Sequence, residues 1–140
     1  MLWGAILAGG GGWASSPTEA GGYCTAPTTC AFAALKPIGY QMLREYGVTP
    51  ARSAPSAGFG EPPRADLWIY QGTPKPPSTH IAFLVTQRAL VDDFYRAALA
   101  AGGHSNGEPG LRPQYSANYY GAFVLDPDGY NIEAVCREAE

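Results

Sequence analysis

The segment THIAFLVTQRALVDDFYRAALAAGGHSNGEPGLRPQYSANYYGAFVLDPDGYNIEAVC, residues 79–136, decides the fold. Its texture runs strand, helix, glycine turn, aromatic loop, strand, tight turn, strand. His80 to Val85 is an apolar strand. Thr86 stands where an N-cap belongs, ahead of a helix from about Gln87 to Ala101. Leu90, Val91, Phe94, Tyr95 and Ala98 share one face at helical spacing, and Gly102-Gly103 supplies a left-handed exit. Residues 104–118 read as a long loop rich in groups that could line a pocket: His104, Asn106, Arg112, Tyr115 and Asn118. Tyr119 to Leu125 is a strand. Asp126-Pro127-Asp128-Gly129 is a turn, because proline presets φ and glycine accepts positive φ. The last strand, ending near Cys136, follows.

Two residues of this segment carry chemistry. His80 opens its first strand and Glu133 sits inside its last. An imidazole and a carboxylate on neighbouring strands of one sheet make half of a divalent-metal site. Alternation puts Glu133 and Val135 on one face and Ile132 and Ala134 on the other, without saying which face is inside. Arg112 offers a planar fork suited to a carboxylate or phosphate, or alternatively to capping the carbonyls of its own loop.

The N-terminal half is less regular. Residues 8–30 are rich in Gly, Ser, Thr, Pro and Ala and read as loop. Ala31 to Leu35 is a short helical patch stopped by Pro37 and Gly39, and Tyr40 to Tyr46 alternates as a strand. Residues 50–64 read as a loop around Gly58-Phe59-Gly60. Leu67 to Tyr70 is a further strand, with Trp68 as core or cleft wall, and residues 72–78 are a linker. The halves rhyme: Ala33-Ala34-Leu35 with Gly39 matches Ala97-Ala98-Leu99 with Gly103, an offset of 64 that carries Trp68-Ile69 onto Ile132-Glu133. The expected organisation is therefore an atypical, loop-like stretch at 1–30, a first, incomplete module at 31–78 and a second at 79–140, together one domain.

Composition narrows the function. A net charge of −3 leaves no basic footprint for nucleic acid. Only 15% of residues are charged, against 18 Gly and 13 Pro, which fits a loop-rich globular chain. Cys24, Cys30 and Cys136 are an odd count without paired spacing, so they read as plain thiols in a reducing compartment. No Lys or Arg precedes Lys36, which argues against a secretory signal, and no apolar run reaches the roughly 20 residues of a membrane span. A cytoplasmic protein is expected.

Taken together, His80-Ile-Ala-Phe, Val91-Asp-Asp-Phe-Tyr95, Ala98 to Gly103, Asn106 to Pro113, Tyr119-Tyr120, Asp126 to Gly129 and Asn131-Ile-Glu-Ala134 resemble the vicinal oxygen chelate superfamily. That superfamily holds glyoxalase I, bleomycin- and fosfomycin-resistance proteins and extradiol dioxygenases. Leu35 to Tyr40, Gly58 to Gly60 and Leu67 to Ile69 extend the resemblance, which covers about residues 31–136. It implies an α+β fold of paired β-α-β-β-β modules, whose strands form a curled mixed sheet around a cleft. It also implies a divalent metal (Zn, Ni, Mn or Fe) chelating two adjacent oxygens of a small substrate, in a lyase, isomerase or dioxygenase. By resemblance His80 and Glu133 are metal ligands; Arg112 and Tyr115 would orient a substrate by their own chemistry, and in a metal-free cleft Trp68, Tyr115 and Tyr119 would hold a partly aromatic ligand. A homodimer is implied as well.

The chain departs from the pattern in its first module. The offset places the missing opening-strand ligand at Ser16, and no His precedes His80. Three readings follow. The first 30 residues are aberrant and the chain inactive; or the protein binds a small molecule without metal, as bleomycin-resistance proteins do; or Glu19, Glu61 or His104 completes the site. Met1 to Leu7 could still provide the missing strand, but no ligand.

Overall fold

The structure is a computed structural model and describes residues 6–9, 31, 33–51, 53–73 and 79–139. Two four-stranded sheets repeat one design. The first has strand order β1 (Ile6–Gly9), β4 (Leu67–Gln71), β3 (Ser56–Gly60), β2 (Gln41–Tyr46). The second has β5 (His80–Val85), β8 (Asn131–Cys136), β7 (Tyr120–Leu125), β6 (His104–Leu111). In each, the opening strand runs parallel to the last and the rest are antiparallel. A helix, α1 (Arg88–Ala100), covers the second sheet. Residues 31 and 33–35 are helical and lead into a 3-10 turn at Lys36–Ile38 that packs against α1. No described helix is long and apolar enough to cross a membrane.

The core lies on the helix side of both sheets. Alternation in β5 turns Phe83 and Val85 inward and leaves His80, Ala82 and Leu84 exposed on the other face. Val91, Phe94 and Ala98 of α1 meet Ala122, Val124, Ile132 and Ala134 of their own sheet and Ala34, Leu35, Leu67 and Ile69 of the first module. Tyr40 and Phe83 meet edge to face across the seam, with ring centroids 5.1 Å apart. Burial of a Phe or Leu side chain contributes about 1.5–3 kcal/mol, so this shared seam binds the two modules into one core.

Both modules leave their helices in the same way. Gly39 and Gly102 take positive φ (91° and 99°), and the next N–H reaches back five residues: Tyr40 to the Leu35 carbonyl, Gly103 to the Ala98 carbonyl. That is the 6→1 bond of a Schellman exit. The offset here is 63. Further on, register and burial agree on 65: Gly58 pairs Trp68 as Phe123 pairs Glu133, while Leu67 and Ile69 face the core as Ile132 and Ala134 do. The offset of 64 seen in the sequence averages the two. An additional bulge in β6, absent from β2, accounts for one of the extra residues. Trp68, not Ile69, therefore holds the place of Glu133.

Three local expectations are corrected. Residues 104–111 are a strand, not loop; β6 is an edge strand, where Pro109 and two bulges are tolerated. Ser56 to Gly60, expected as loop, is the buried strand β3. The N-cap of α1 is Gln87 with no side-chain cap, because the helix starts at Arg88 and leaves Thr86 one residue too early. β1 lies within the segment expected to be loop-like. It pairs Ile6 with Trp68 as Ala82 pairs Glu133, and two residues before Ile6 the sequence has Gly4 where His80 precedes Ala82. Ser16 lies outside the described residues.

Candidate functional site

Glu133 is the one charged residue among the buried side chains described, 1% exposed on the face of the second sheet away from the helix. A carboxylate so placed must be hydrogen-bonded or it would cost several kcal/mol. Both of its oxygens are engaged. His80 Nε2 lies 2.9 Å from Oε2, across one parallel strand pair. The Tyr119 hydroxyl donates to Oε1 at 2.5 Å. Room for this comes from Gly121 on β7: a Cβ there would sit 3.0 Å from Oε1 and 3.1 Å from the Tyr119 ring. Burial, then the hydrogen bond and charge of Glu133, push the Tyr119 phenol up to about 12. The phenol therefore stays protonated and donating at neutral pH. The Tyr115 ring meets it edge-on at 5.0 Å, and the Arg137 guanidinium lies over it at 5.5 Å.

Beside this pair lies an open hollow of about 360 Å³, lined by His80, Asn106, Gly107, Arg112, Gln114, Tyr115, Phe123 and Asn131. His80 lines it and is half-exposed, while its partner Glu133 is buried. Phe123 is the hollow's apolar wall, with His80 at 6.1 Å and the Arg112 guanidinium at 5.7 Å from its ring centre. Asn106 Nδ2 donates to Asn131 Oδ1 at 3.1 Å. The backbone of residues 112–119 closes on itself: Arg112 N–H to the Tyr119 carbonyl, Tyr115 N–H to the Arg112 carbonyl, Tyr119 N–H to the Ser116 carbonyl.

A sequence profile described as the Glyoxalase/Bleomycin resistance protein/Dioxygenase superfamily matches residues 36–134. The chain belongs to this superfamily. The fold agrees with it: a glyoxalase/bleomycin resistance protein from Albidiferax ferrireducens T118 has a TM-score of 0.64 at 19% identity, covering 99% of this chain and 100% of its own. A glyoxalase-related enzyme from Fulvimarina pelagi also has a TM-score of 0.64, at 16% identity over 97% and 87% of the two chains. A fosfomycin resistance protein variant from Listeria monocytogenes, solved with Mn(II) and 1S,2S-dihydroxypropylphosphonic acid, has a TM-score of 0.52 at 19% identity, over 77% and 81%. No curated protein matches.

Membership in the superfamily raises the question of a metal, and the donor set answers in part. His80 nitrogen and Glu133 oxygen are the right chemistry for a divalent ion. They are short in number, since no group of three His, Cys, Asp or Glu converges among the described residues. An ion held here would need its other positions filled by water or by the ligand's own oxygens, as hard cations accept.

The structure gathers His80, Glu133, Arg112, Tyr115 and Tyr119 on one face of the second sheet. It places Trp68 apart, on the first sheet, stacked on Tyr46 at 5.8 Å and beside Tyr70 at 6.4 Å. His104 is exposed at the start of β6 and does not line the hollow; Glu61 is exposed after β3; Glu19 lies outside the described residues. Sequence reasoning missed Gln114, Phe123 and Asn131. Asn131 was within reach, two residues before Glu133 and so on its face, and Phe123 likewise alternates with Gly121. Cys136 is a buried free thiol.

Proposed function

We propose that the chain handles a small oxygen-bearing molecule in the hollow of the second sheet, as a glyoxalase- or dioxygenase-like lyase, isomerase or oxygenase that uses a divalent metal. The observation that carries this is a buried carboxylate, Glu133, bonded to His80, which itself lines an open hollow. His80 and Glu133 would be the ion's protein ligands; Zn, Ni, Mn or Fe are the candidates. Such an ion supplies Lewis acidity, stabilising negative charge on a substrate oxygen. The chain's own residues do the rest. Tyr119, kept protonated, fixes the Glu133 carboxylate by holding Oε1. Phe123 excludes water on one side, and Arg112 and Tyr115 orient the ligand.

A second reading is favoured by a separate observation. Both Glu133 oxygens already have partners, and the matching position of the first module is Trp68. A metal-free binding protein for a small, partly aromatic molecule fits that arrangement. Elemental analysis of the purified protein, and its melting temperature with added Zn, Ni, Mn or Fe, separate the two. Bound metal or a raised melting point supports the enzyme; absence of both sinks it and leaves the binder.

We also propose a cytoplasmic homodimer. Among the described residues β1, β2, β5 and β6 each leave one strand edge unpaired in their sheet, and open edges favour association. Light scattering giving a clean 14.8 kDa species would contradict it.

A further inference from the structure

We infer that the molecule taken by this hollow is an organic acid, and that Arg112 is the residue that selects it. The inference deepens the proposed function and rests on the hollow being the ligand site. Arg112 is partly buried, lines the hollow, and makes no ion pair among the described residues. Its guanidinium is nevertheless held in place. Nη2 donates to the Glu108 carbonyl at 2.6 Å, Nη1 donates to the Leu111 carbonyl at 3.3 Å, and the plane lies over Phe123. Two glycines make room for it: a Cβ on Gly110 would meet Nη1 at 2.9 Å, and one on Gly107 would meet Nη2 at 3.6 Å.

A guanidinium carries five N–H donors, and two carbonyls leave most of them unused. Neutral carbonyls fix its position without cancelling its charge. The result is a positioned cation with spare donors, facing a hollow whose other polar side chains are the imidazole of His80, the hydroxyl of Tyr115 and the amides of Asn106, Gln114 and Asn131. That is the chemistry of a site for a carboxylate, phosphate or phosphonate, taken through charge-assisted bonds. Bracing the loop alone would explain the two carbonyl bonds. It would not explain why the charge faces an open hollow whose lining residues include no carboxylate.

The geometry also sets the ligand's shape. His80 and Arg112 flank the same Phe123 ring. A ligand lying along that ring puts its anionic group at Arg112 and its oxygenated end at the His80–Glu133 pair.

The test uses the full chain in metal-stripped buffer, by isothermal titration with salicylate, its neutral amide salicylamide, and phenyl phosphate. Salicylate or phenyl phosphate binds about tenfold or more tightly than salicylamide, in keeping with a hydrogen-bonded charge pair. Which of the two acids binds better tells carboxylate from phosphate. R112Q weakens the acids far more than salicylamide and so brings the acid-to-amide ratio close to one. R112K, which keeps the charge but loses the fork and is the safer variant for folding, restores part of the ratio. A ratio near one in the unaltered protein, a ratio that survives R112Q, or no saturable binding by either acid overturns the inference. Failure of the underlying reading looks different. A protein that holds metal through His80 and Glu133 yet shows no acid preference sinks only the role of Arg112, and one with the preference but no metal sinks only the metal.

Discussion

Strands β4 and β8 occupy the same place in the same sheet design, and at the matching position one carries Trp68 and the other Glu133. Each sheet clears space for that residue with a glycine on the neighbouring strand. Gly58 lies under the Trp68 ring, where a Cβ would meet it at 2.9 Å, and Gly121 lies under the Glu133 carboxylate. The solutions then diverge. The indole is settled by stacking on Tyr46 and by the tilted Tyr70 ring beside it, and asks for no donor. The carboxylate is settled only by an imidazole and a phenol, groups that hold ions and protons. One backbone plan thus yields an aromatic platform in the first module and a buried, hydrogen-bonded carboxylate in the second.

The comparison breaks most visibly in the shared core. Phe59 in the first module and Phe94 in the second are both 0% exposed. Truncating either to Ala costs about 3–5 kcal/mol in urea denaturation, with a single cooperative transition in both cases. If Phe59→Ala melts one module and spares the other, the modules do not share a core.

Next come the two glycines. Gly121→Ala and Gly58→Ala each overpack their sheet and cost about 1–3 kcal/mol. Only Gly121→Ala moves the Glu133 carboxylate, so only it weakens metal or acid binding in the hollow. Equal loss of binding in both would erase the functional distinction drawn between the sheets.

A smaller effect distinguishes their tyrosines. Tyr119 is pushed up to about 12 by burial and by Glu133; Tyr40 in the first module reaches about 12 by burial and by Asp66 and Glu61. A raised phenol favours the fold while protonated. The contribution is whole below the ordinary value of 10.0 and is lost as pH climbs from there through about 12. Phenolate absorbance should show two late tyrosines, and Glu133→Gln should move Tyr119 earlier while leaving Tyr40 in place. Movement of both, or of neither, removes Glu133 as a cause. The smallest effect is on the surface: Asp93→Ala, which breaks an exposed pair with Arg96, should change stability by less than about 0.5 kcal/mol.

The second module was legible because its signals are local. The apolar alternation of β5, the helical face of α1 and the Asp126–Gly129 turn each follow from a few neighbouring residues. In the turn, the Asp126 side chain accepts from the Asp128 and Tyr130 N–H groups, and Gly129 takes φ 84°. His80 and Glu133 were readable as a pair because strand neighbours follow from order. What stayed hidden depends on tertiary context. β6 looks like loop because an edge strand can carry glycine, proline and polar residues. β3 looks like loop because glycine and serine there are covered by Trp68 and Tyr70 rather than by side chains of their own. The Tyr119 bond to Glu133 and the brace on Arg112 need three-dimensional placement. So does the equivalence of Trp68 with Glu133, which a single offset missed by one residue.

The central claim is that the chemistry belongs to the second module through His80 and Glu133. It is tested most directly by isothermal titration of Mn²⁺ and Zn²⁺ into the unaltered protein, H80A, E133Q and W68F. The account predicts one ion per chain, tightened by a ligand with adjacent oxygens, lost in H80A and E133Q and kept in W68F. Ion binding that survives both H80A and E133Q, or no binding by the unaltered protein, would contradict it.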